Sequence, residues 1–289
     1  MSGEFAERFP ANADQAGYWN LRGEQWVTHQ AALDARLAPV AEELLTRAGL
    51  RRGQRVIDVG CGTGATTLAI AEQVGPEGAV LAVDISAPML ALARRRVAER
   101  SLDHVRFLNA DAQSHGFEPA SHDLLLSRFG VMFFGDPVAA FANLMSALRP
   151  GGGLALVCWA PLDDNPWFKE PLAAGIRRLG PPEPQPPRAP GPLALAETGY
   201  IDEILSGAGF VERRIETVTT QLAGAATAEE EAAFACQVGP LTRLLQACEP
   251  DPATRQSILD EVTERFRRYQ GGTGVRIPAT LHYVSARRP

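Results

Sequence analysis

Short apolar runs alternate with stretches of helical periodicity through residues 50–160. Continuous apolar blocks at Arg55–Val59, 79–83, 105–108, 123–126 and 154–159 read as strands. Between the first two, Thr66, Leu68, Ile70 and Val74 carry a helical stripe, and Gly75-Pro76 and Gly78 bound the second strand on its near side. Pro88 sits near the start of a helix running to about Arg100, with Ser86 as its N-cap. Pro137 opens another, with Val138, Phe141, Met145 and Leu148 at 3.6-type spacing and Pro150-Gly151-Gly152 as the stop. Alternating strands and helices predict an α/β fold around a parallel sheet. All five strands are too apolar for a half-exposed sheet, so helices are expected on both faces.

The pattern is less regular outside this stretch. Residues 161–192 are rich in proline (Pro181-Pro182, Pro186-Pro187, Pro190, Pro192) and read as an ordered excursion rather than a linker. A helix over 198–208 ends at Gly209 and leads into a strand over 211–218. Residues 227–270 read as helical, opened by a Thr227/Glu230 capping box and striped by Ile258, Val262 and Phe266, and 277–286 as a last strand. Near the N-terminus, Tyr18, Trp19, Asn20, Gly23, Trp26 and His29 share a predicted helix with Val27 and Leu33. No internal repeat is visible.

Composition bounds the function classes. Of 289 residues, 45% are hydrophobic and 21% charged, as in a soluble globular protein. No run approaches the ~20 apolar residues of a membrane span, and residues 1–9, with Glu4 and Glu7, do not read as a signal peptide. Cys61, Cys158, Cys236 and Cys248 form no C-x-x-C pair, which points to reduced thiols in a cytoplasmic protein and no metal site. The net charge is −6 and Lys169 is the only lysine; no patch mixes arginine with aromatic residues, so nucleic acid is not expected as a partner. Arg94-Arg95-Arg96 reads as a solvated helix face. The expected partner is a small-molecule substrate, with the chain a monomer or homodimer.

The chemistry concentrates in Val56-Ile57-Asp58-Val59-Gly60-Cys61-Gly62-Thr63-Gly64 and the run ending at Asp84. A strand, a glycine turn, a helix and a second strand closing on a carboxylate build a nucleotide-type pocket at the carboxyl edge of a parallel sheet. Gly60-x-Gly62-x-x-Ala65 also fits the dinucleotide spacing, so the glycines do not choose the cofactor. Asp58 argues against a phosphate, because like charges repel, and for a ligand carrying an ammonium or sulfonium. S-adenosyl-L-methionine carries both and no phosphate. Gly60, Gly62 and Gly64, with Cys61 between them, let backbone approach the methionyl part. Asp84, twenty residues after Gly64, can accept both ribose hydroxyls, or serve as a helix N-terminal charge.

Residues 56–64 resemble motif I of the class I S-adenosylmethionine-dependent methyltransferases, and the ends of the chain resemble their small-molecule, ubiquinone-biosynthesis-like branch. The resemblance implies a Rossmann-like, seven-stranded, mostly parallel sheet of order 3-2-1-4-5-7-6 with the last strand antiparallel. Residues 211–222 are then strand six and 277–286 strand seven. It further implies a helical N-terminal cap at 1–50 and a core at 51–289, with insertions at 161–197 and 225–272 forming a lid or substrate region. It places Ile85 and Met89 against the adenine, although Met89 also reads as an ordinary helix core residue. It gives Asp111 the adenine amino group and Ala112 the backbone donor to the ring, and puts Ser127 and Arg128 where sulfonium- and substrate-facing groups lie.

The implied activity is methyl transfer to an O, N, S or C nucleophile of a small molecule by in-line displacement, leaving S-adenosyl-L-homocysteine. Arg128 can bind an anionic substrate group or pair with Asp123 or Asp136. His29 is the general-base candidate by its near-neutral pKa. Tyr18 and Trp26 can line the sulfonium, a cation–π contact of ~0.5–2 kcal/mol, and Phe129, Trp159 and Trp167 can wall the acceptor pocket. No metal-dependent catechol arrangement and no Asn-Pro-Pro-Tyr-type motif is present. An NAD-dependent oxidoreductase, a non-catalytic S-adenosylmethionine-binding protein and thiol-bound metalloid methylation through Cys158, Cys236 and Cys248 are the alternatives.

Overall fold

A computed structural model describes residues 12–289; residues 1–9, weighed above as a leader, lie outside the described residues. The N-terminal helical pattern forms two helices, α1 (Ala13–Thr28) and α2 (Gln30–Ala48), which meet at His29. The alternating region follows as β1 (Arg55–Val59), α3 (Ala65–Val74), β2 (Ala79–Asp84), α4 (Ala87–Glu99), β3 (Val105–Asn109), β4 (His122–Arg128), α5 (Pro137–Ala147) and β5 (Leu148–Trp159). Then come α6 (Pro166–Leu179), α7 (Thr198–Gly207), β6 (Val211–Ala223), α8 (Ala228–Ala235), α9 (Pro240–Cys248), α10 (Pro252–Arg267), β7 (Gln270–Gly271) and β8 (Gly274–Arg287).

The sheet runs β3-β2-β1-β4-β5-β8-β6, and the two-residue β7 pairs only with β8. Pairings among β1 to β5 are parallel, whereas β8 runs antiparallel to both neighbours, with Leu154 opposite Ala286 and Ile215 opposite Val284. This is the Rossmann-like order expected from the sequence, with β8 as the expected seventh strand. β1 and β4 are flanked on both sides and supply fully buried Val56, Ile57, Leu125 and Leu126, each contributing ~1.5–3 kcal/mol by leaving water. β3 departs from the expected double coverage. It is an edge strand with Arg106 exposed and its other residues half-buried.

Three local expectations are corrected. The Ser86 hydroxyl does not cap α4 but donates to the Trp19 carbonyl at 2.9 Å, tying α1 to the β2–α4 turn. Pro150-Gly151-Gly152 does not stop α5, which ends at Ala147; it lies within β5, beside an irregularity in the β4–β5 register. The stretch 227–270 is three helices, broken by Gly239-Pro240 and Asp251-Pro252, whose prolines take first-turn positions. Thr227 does cap α8, accepting from the Glu230 amide at 3.2 Å. Ile258, Val262 and Phe266 do share a buried stripe.

α6, α8, α9 and α10 pack on one another, and α2 packs across β5 and β6. A buried ion pair joins the two groups. Glu231 of α8 is fully buried and accepts from Arg36 Nε at 2.9 Å, from the second Arg36 nitrogen, from Trp167 Nε1 at 2.6 Å and from the Ala225 amide at 2.7 Å. The Arg36 guanidinium also lies over the Phe234 ring, 3.9 Å from its centroid. No helix among the described residues is long and apolar enough to cross a membrane.

Removing one partner of such a pair leaves an uncompensated buried charge. Glu231→Ala is therefore expected to cost ~3–5 kcal/mol, read as a lower urea midpoint. A loss below ~1 kcal/mol, the range of an exposed ion pair, would show that the Arg36 charge is relieved by water.

Candidate functional site

A cavity of about 900 Å³ opens at the carboxyl ends of β1, β2 and β4, toward the upper end of the ~300–1,000 Å³ typical of ligand sites. Its floor is the glycine turn after β1, and its walls come from α1, α2, α6, α9 and the proline-rich strap at 181–194. Of the residues singled out from sequence, Gly60, Cys61, Gly62, Asp84, Ile85, Met89, Asp111, Ala112, Arg128, Tyr18, Trp26, Phe129, Trp159 and Trp167 line it. Asp58, Gly64, Ser127 and His29 do not line it.

The three glycines do different things. A Cβ on Gly60 would lie 2.5 Å from the Gly130 Cα, so that position is a crossing of two backbones. Gly64 caps α3 at φ 88°, and a Cβ there would meet the Ala93 Cβ at 3.0 Å. Only Gly62, at φ 55°, faces open cavity, where a Cβ would find nothing nearer than the Met89 Sδ at 3.9 Å. Gly60 and Gly62 thus both reach the cavity wall, with Gly60 also holding the turn in shape, while Gly64 only shapes the turn. Ser127 belongs to the same framework: fully buried, its hydroxyl donates to the Val59 carbonyl at 2.7 Å and accepts from the Gly130 amide at 3.2 Å.

Asp58 and Asp84 end the first two strands as buried carboxylates with no cation bonded to them. Burial pushes Asp58 up from 3.8 to about 6, against the Thr67 hydroxyl bond at 2.6 Å and the pull of Arg128. Burial likewise pushes Asp84 up from 3.8 to about 6, against the Ser86 and Gly62 amides it accepts from at 2.8 and 2.7 Å. The Ile85 amide is a third donor to it, and three amides still leave lone-pair capacity on the carboxylate for a ligand hydroxyl. The Cys61 thiol is pushed well up by burial and by these two carboxylates, so it is no nucleophile.

Asp111 differs from its expected role. Its carboxylate accepts from Asn12 Nδ2 on both oxygens at 2.9 Å, from the Gln113 amide at 2.9 Å and from the Ser114 hydroxyl at 3.0 Å. Those contacts fill a carboxylate's capacity. On the same wall, the buried Gln15 Oε1 has no hydrogen-bond partner among the described residues and is an open acceptor there.

Arg128 pairs with neither Asp123, which takes Arg149 at 2.7 Å, nor Asp136, which caps α5 through the Ala139 amide at 3.0 Å. Burial lowers its pKa against the pull of Asp34 and Asp58, with Arg96 pushing the same way as burial. It therefore lies on the glycine-turn side of the cavity. Asp34, on α2, bonds Arg96 at 2.6 Å and also lines the cavity.

Aromatic side chains make the remaining wall. Phe129 sits at φ 65°, a conformation costing a bulky residue ~1–3 kcal/mol, and its ring stacks on Trp159 at 4.6 Å and 7°. Trp19, which the sequence reading did not assign to the site, contacts Tyr18, Trp26 and Phe133 edge-on at 5.3, 5.3 and 4.9 Å. Its signal was available, since Gln15, Tyr18, Trp19, Arg22 and Trp26 recur at three- and four-residue steps. His29 instead packs edge-on against Phe234 at 5.4 Å, and none of the five histidines lines the cavity.

Residues 56–152 match the family described as a methyltransferase domain. The chain is 39% identical over 103 residues to the aklanonic acid methyltransferase of Streptomyces sp. (strain C5), covering 36% of this chain and 47% of that protein. It is 32% identical over 184 residues to the nocamycin O-methyltransferase of Saccharothrix syringae, covering 61% and 66%. Alignments thus span about half to two thirds of these relatives' lengths. Among solved structures, a Haemonchus contortus phosphoethanolamine N-methyltransferase complexed with phosphomonomethylethanolamine and S-adenosylhomocysteine superposes with a TM-score of 0.54, at 21% identity, over 87% of this chain and 52% of that one. That similarity is one of fold.

Between pH 6 and 3.8, folded Asp58 and Asp84 hold protons that the unfolded chain has released. They raise stability as pH falls through about 6. Asp58→Asn is expected to be stabilised relative to the parent at neutral pH, the difference closing on acidification; urea midpoints across pH check this. A constant difference would mean Asp58 titrates as an exposed carboxylate.

Proposed function

Residues 56–152 are a class I methyltransferase domain, and on that premise we propose that the chain transfers a methyl group from S-adenosyl-L-methionine to a small molecule. The observation that carries the reading is one cavity joining the Gly62–Asp84 corner to the Phe129–Trp159 stack. A donor and an acceptor thus meet out of water, where alignment supplies most of the acceleration.

The residues present fit the donor. The free Gly62 surface cradles it, the open lone pairs of Asp84 accept ribose hydroxyls, and Ile85 and Met89 flank the base. Gln15 Oε1 is the buried acceptor left for an adenine amino group, with Asp111 holding Asn12 and the wall in place. At the amino-acid end, Arg128 offers a guanidinium without a bonded partner for the carboxylate, while Asp34 and Asp58 favour the ammonium. This replaces the expected role of Arg128 toward the acceptor. The bound donor supplies an electrophilic methyl group on a sulfonium that departs as a thioether.

For the acceptor, the Phe129–Trp159 stack orients a flat conjugated ring, and Tyr18, Trp26 and Trp167 close around it. α1, α2, the 161–197 excursion and the 225–272 helices form the lid. With His29 off the wall, no base is assigned; an acceptor oxygen or carbon acidic enough to ionise itself is the reading favoured. The four free thiols suit a cytoplasmic setting.

Calorimetry with S-adenosylhomocysteine and with NAD tests the donor: binding of the first alone is expected, and binding of NAD alone overturns the reading. Asp84→Ala is expected to weaken S-adenosylhomocysteine about ten- to a hundred-fold, the ~1.5–3 kcal/mol of a charged hydrogen-bond partner. Because ionised Asp84 is an acceptor, affinity in the parent falls below pH about 6, and the variant shows a weaker fall, the remainder coming from Asp58.

A further inference from the structure

Three arginines line the cavity without an ion pair to any carboxylate among the described residues: Arg128, Arg22 and Arg243. The other lining arginines are matched, Arg36 by Glu231 and Arg188 by Glu197 and Glu203. Arg22, on α1, is only 5% exposed, and its bonds go to two neutral amide oxygens, Gln25 Oε1 at 2.8 Å and Gln246 Oε1. Arg243, on α9, is exposed. Both guanidiniums lie over the same Tyr18 ring, 5.7 and 5.1 Å from its centroid. Glu183, the lining carboxylate on the strap, bonds neither.

A buried cation normally has a counter-charge, because its desolvation costs several kcal/mol. Two amide oxygens occupy two of the five Arg22 donors and carry no net charge. Among the described residues no carboxylate supplies the counter-charge, and the open side of Arg22 is the cavity. We propose that Arg22 and Arg243, with Tyr18 between them, bind an oxyanion of the methyl acceptor, a carboxylate or a phosphate, both of which guanidinium forks grip in the same way. The inference deepens the function proposed above and rests on it: the acceptor is a flat, anionic molecule, held by its charge between α1 and α9. The methyl transfer falls on another atom of that molecule, within reach of the Phe129–Trp159 stack. Two cations so placed also repel the donor's sulfonium and a protonated amine, so they sort acceptors by charge.

The test uses 2-naphthoate, 2-naphthyl phosphate and neutral 2-naphthamide as probes, titrated calorimetrically into the full chain with and without saturating S-adenosylhomocysteine. Either oxyanion is expected to bind at least about tenfold more tightly than the amide, and the stronger of the two identifies the group. Arg243→Gln, at an exposed position where misfolding is not at issue, is expected to remove most of that preference and leave S-adenosylhomocysteine affinity unchanged. Arg22→Lys keeps the charge without the fork and is expected to fall between. Equal binding of the three probes, no oxyanion binding, or a preference that survives Arg243→Gln overturns the proposal. So does a loss of S-adenosylhomocysteine affinity in Arg243→Gln, which would assign the arginine to the donor. Failure of the parent to bind S-adenosylhomocysteine strikes the donor reading instead, and the titrations without it still decide the oxyanion site.

Discussion

The roof of the cavity hangs on one carboxylate. Glu231 of α8 sits at the point where α2, α6 and the turn after β6 converge on its helix, and it gives each of the three a hydrogen bond or an ion pair. None of these elements belongs to the alternating region, and each reaches the sheet by a different connection. An apolar contact there would hold them together without fixing their orientation, because hydrophobic burial is non-directional. Four donors converging on two oxygens do fix it. Arg36 and Trp167, two of the groups so fixed, are themselves part of the cavity wall. The shape of this wall therefore depends on a buried carboxylate, Glu231, that does not itself line the cavity.

The floor depends on a close approach rather than on a charge. Gly60 and Gly130 bring the ends of β1 and β4 to within a distance that no side chain would permit, and Ser127 bonds across the same gap. This holds the turn so that Gly62 faces the cavity and its amide meets Asp84. The same geometry leaves Asp58 and Asp84 buried without cations, which is why both hold protons well above the usual carboxylate range. A cationic ligand arriving at this corner relieves a cost already present in the folded chain.

The floor was legible in the sequence and the roof was not. β1 to β5 announce themselves as apolar blocks, and the glycine turn and its two acids follow from local spacing, so Gly62, Asp84 and Met89 are placed by residues within one βαβ unit. The roles of Gly60, Gly64 and Ser127 needed the crossing partner, Gly130, seventy residues away in the chain for Gly60. Asp111 was read as a free acceptor because nothing local reveals Asn12, which comes from the far end of the chain to occupy it. Arg128 was read toward the acceptor because its electrostatic partner Asp34 lies on α2. Periodicity places residues on a helix face, but it does not say which helix that face meets.

The distribution of charge around the cavity carries the argument one step further. Carboxylates without bonded cations gather at the β1–β2 edge, as Asp58 and Asp84, with Arg128 near them, while the unmatched guanidiniums of Arg22 and Arg243 lie across α1 and α9. Opposite charges at two ends of a cavity set up a field across it, screened least where bound ligands displace water. A cationic donor and an anionic acceptor are each drawn to their own end by that field, and the line between them crosses the aromatic walls. In-line transfer needs the two molecules in one orientation, and exchange of their places would set like charges together at both ends. Substrate order in the cavity then follows from electrostatics, while the stacked Phe129 and Trp159 rings, held by a strained backbone, set the final alignment.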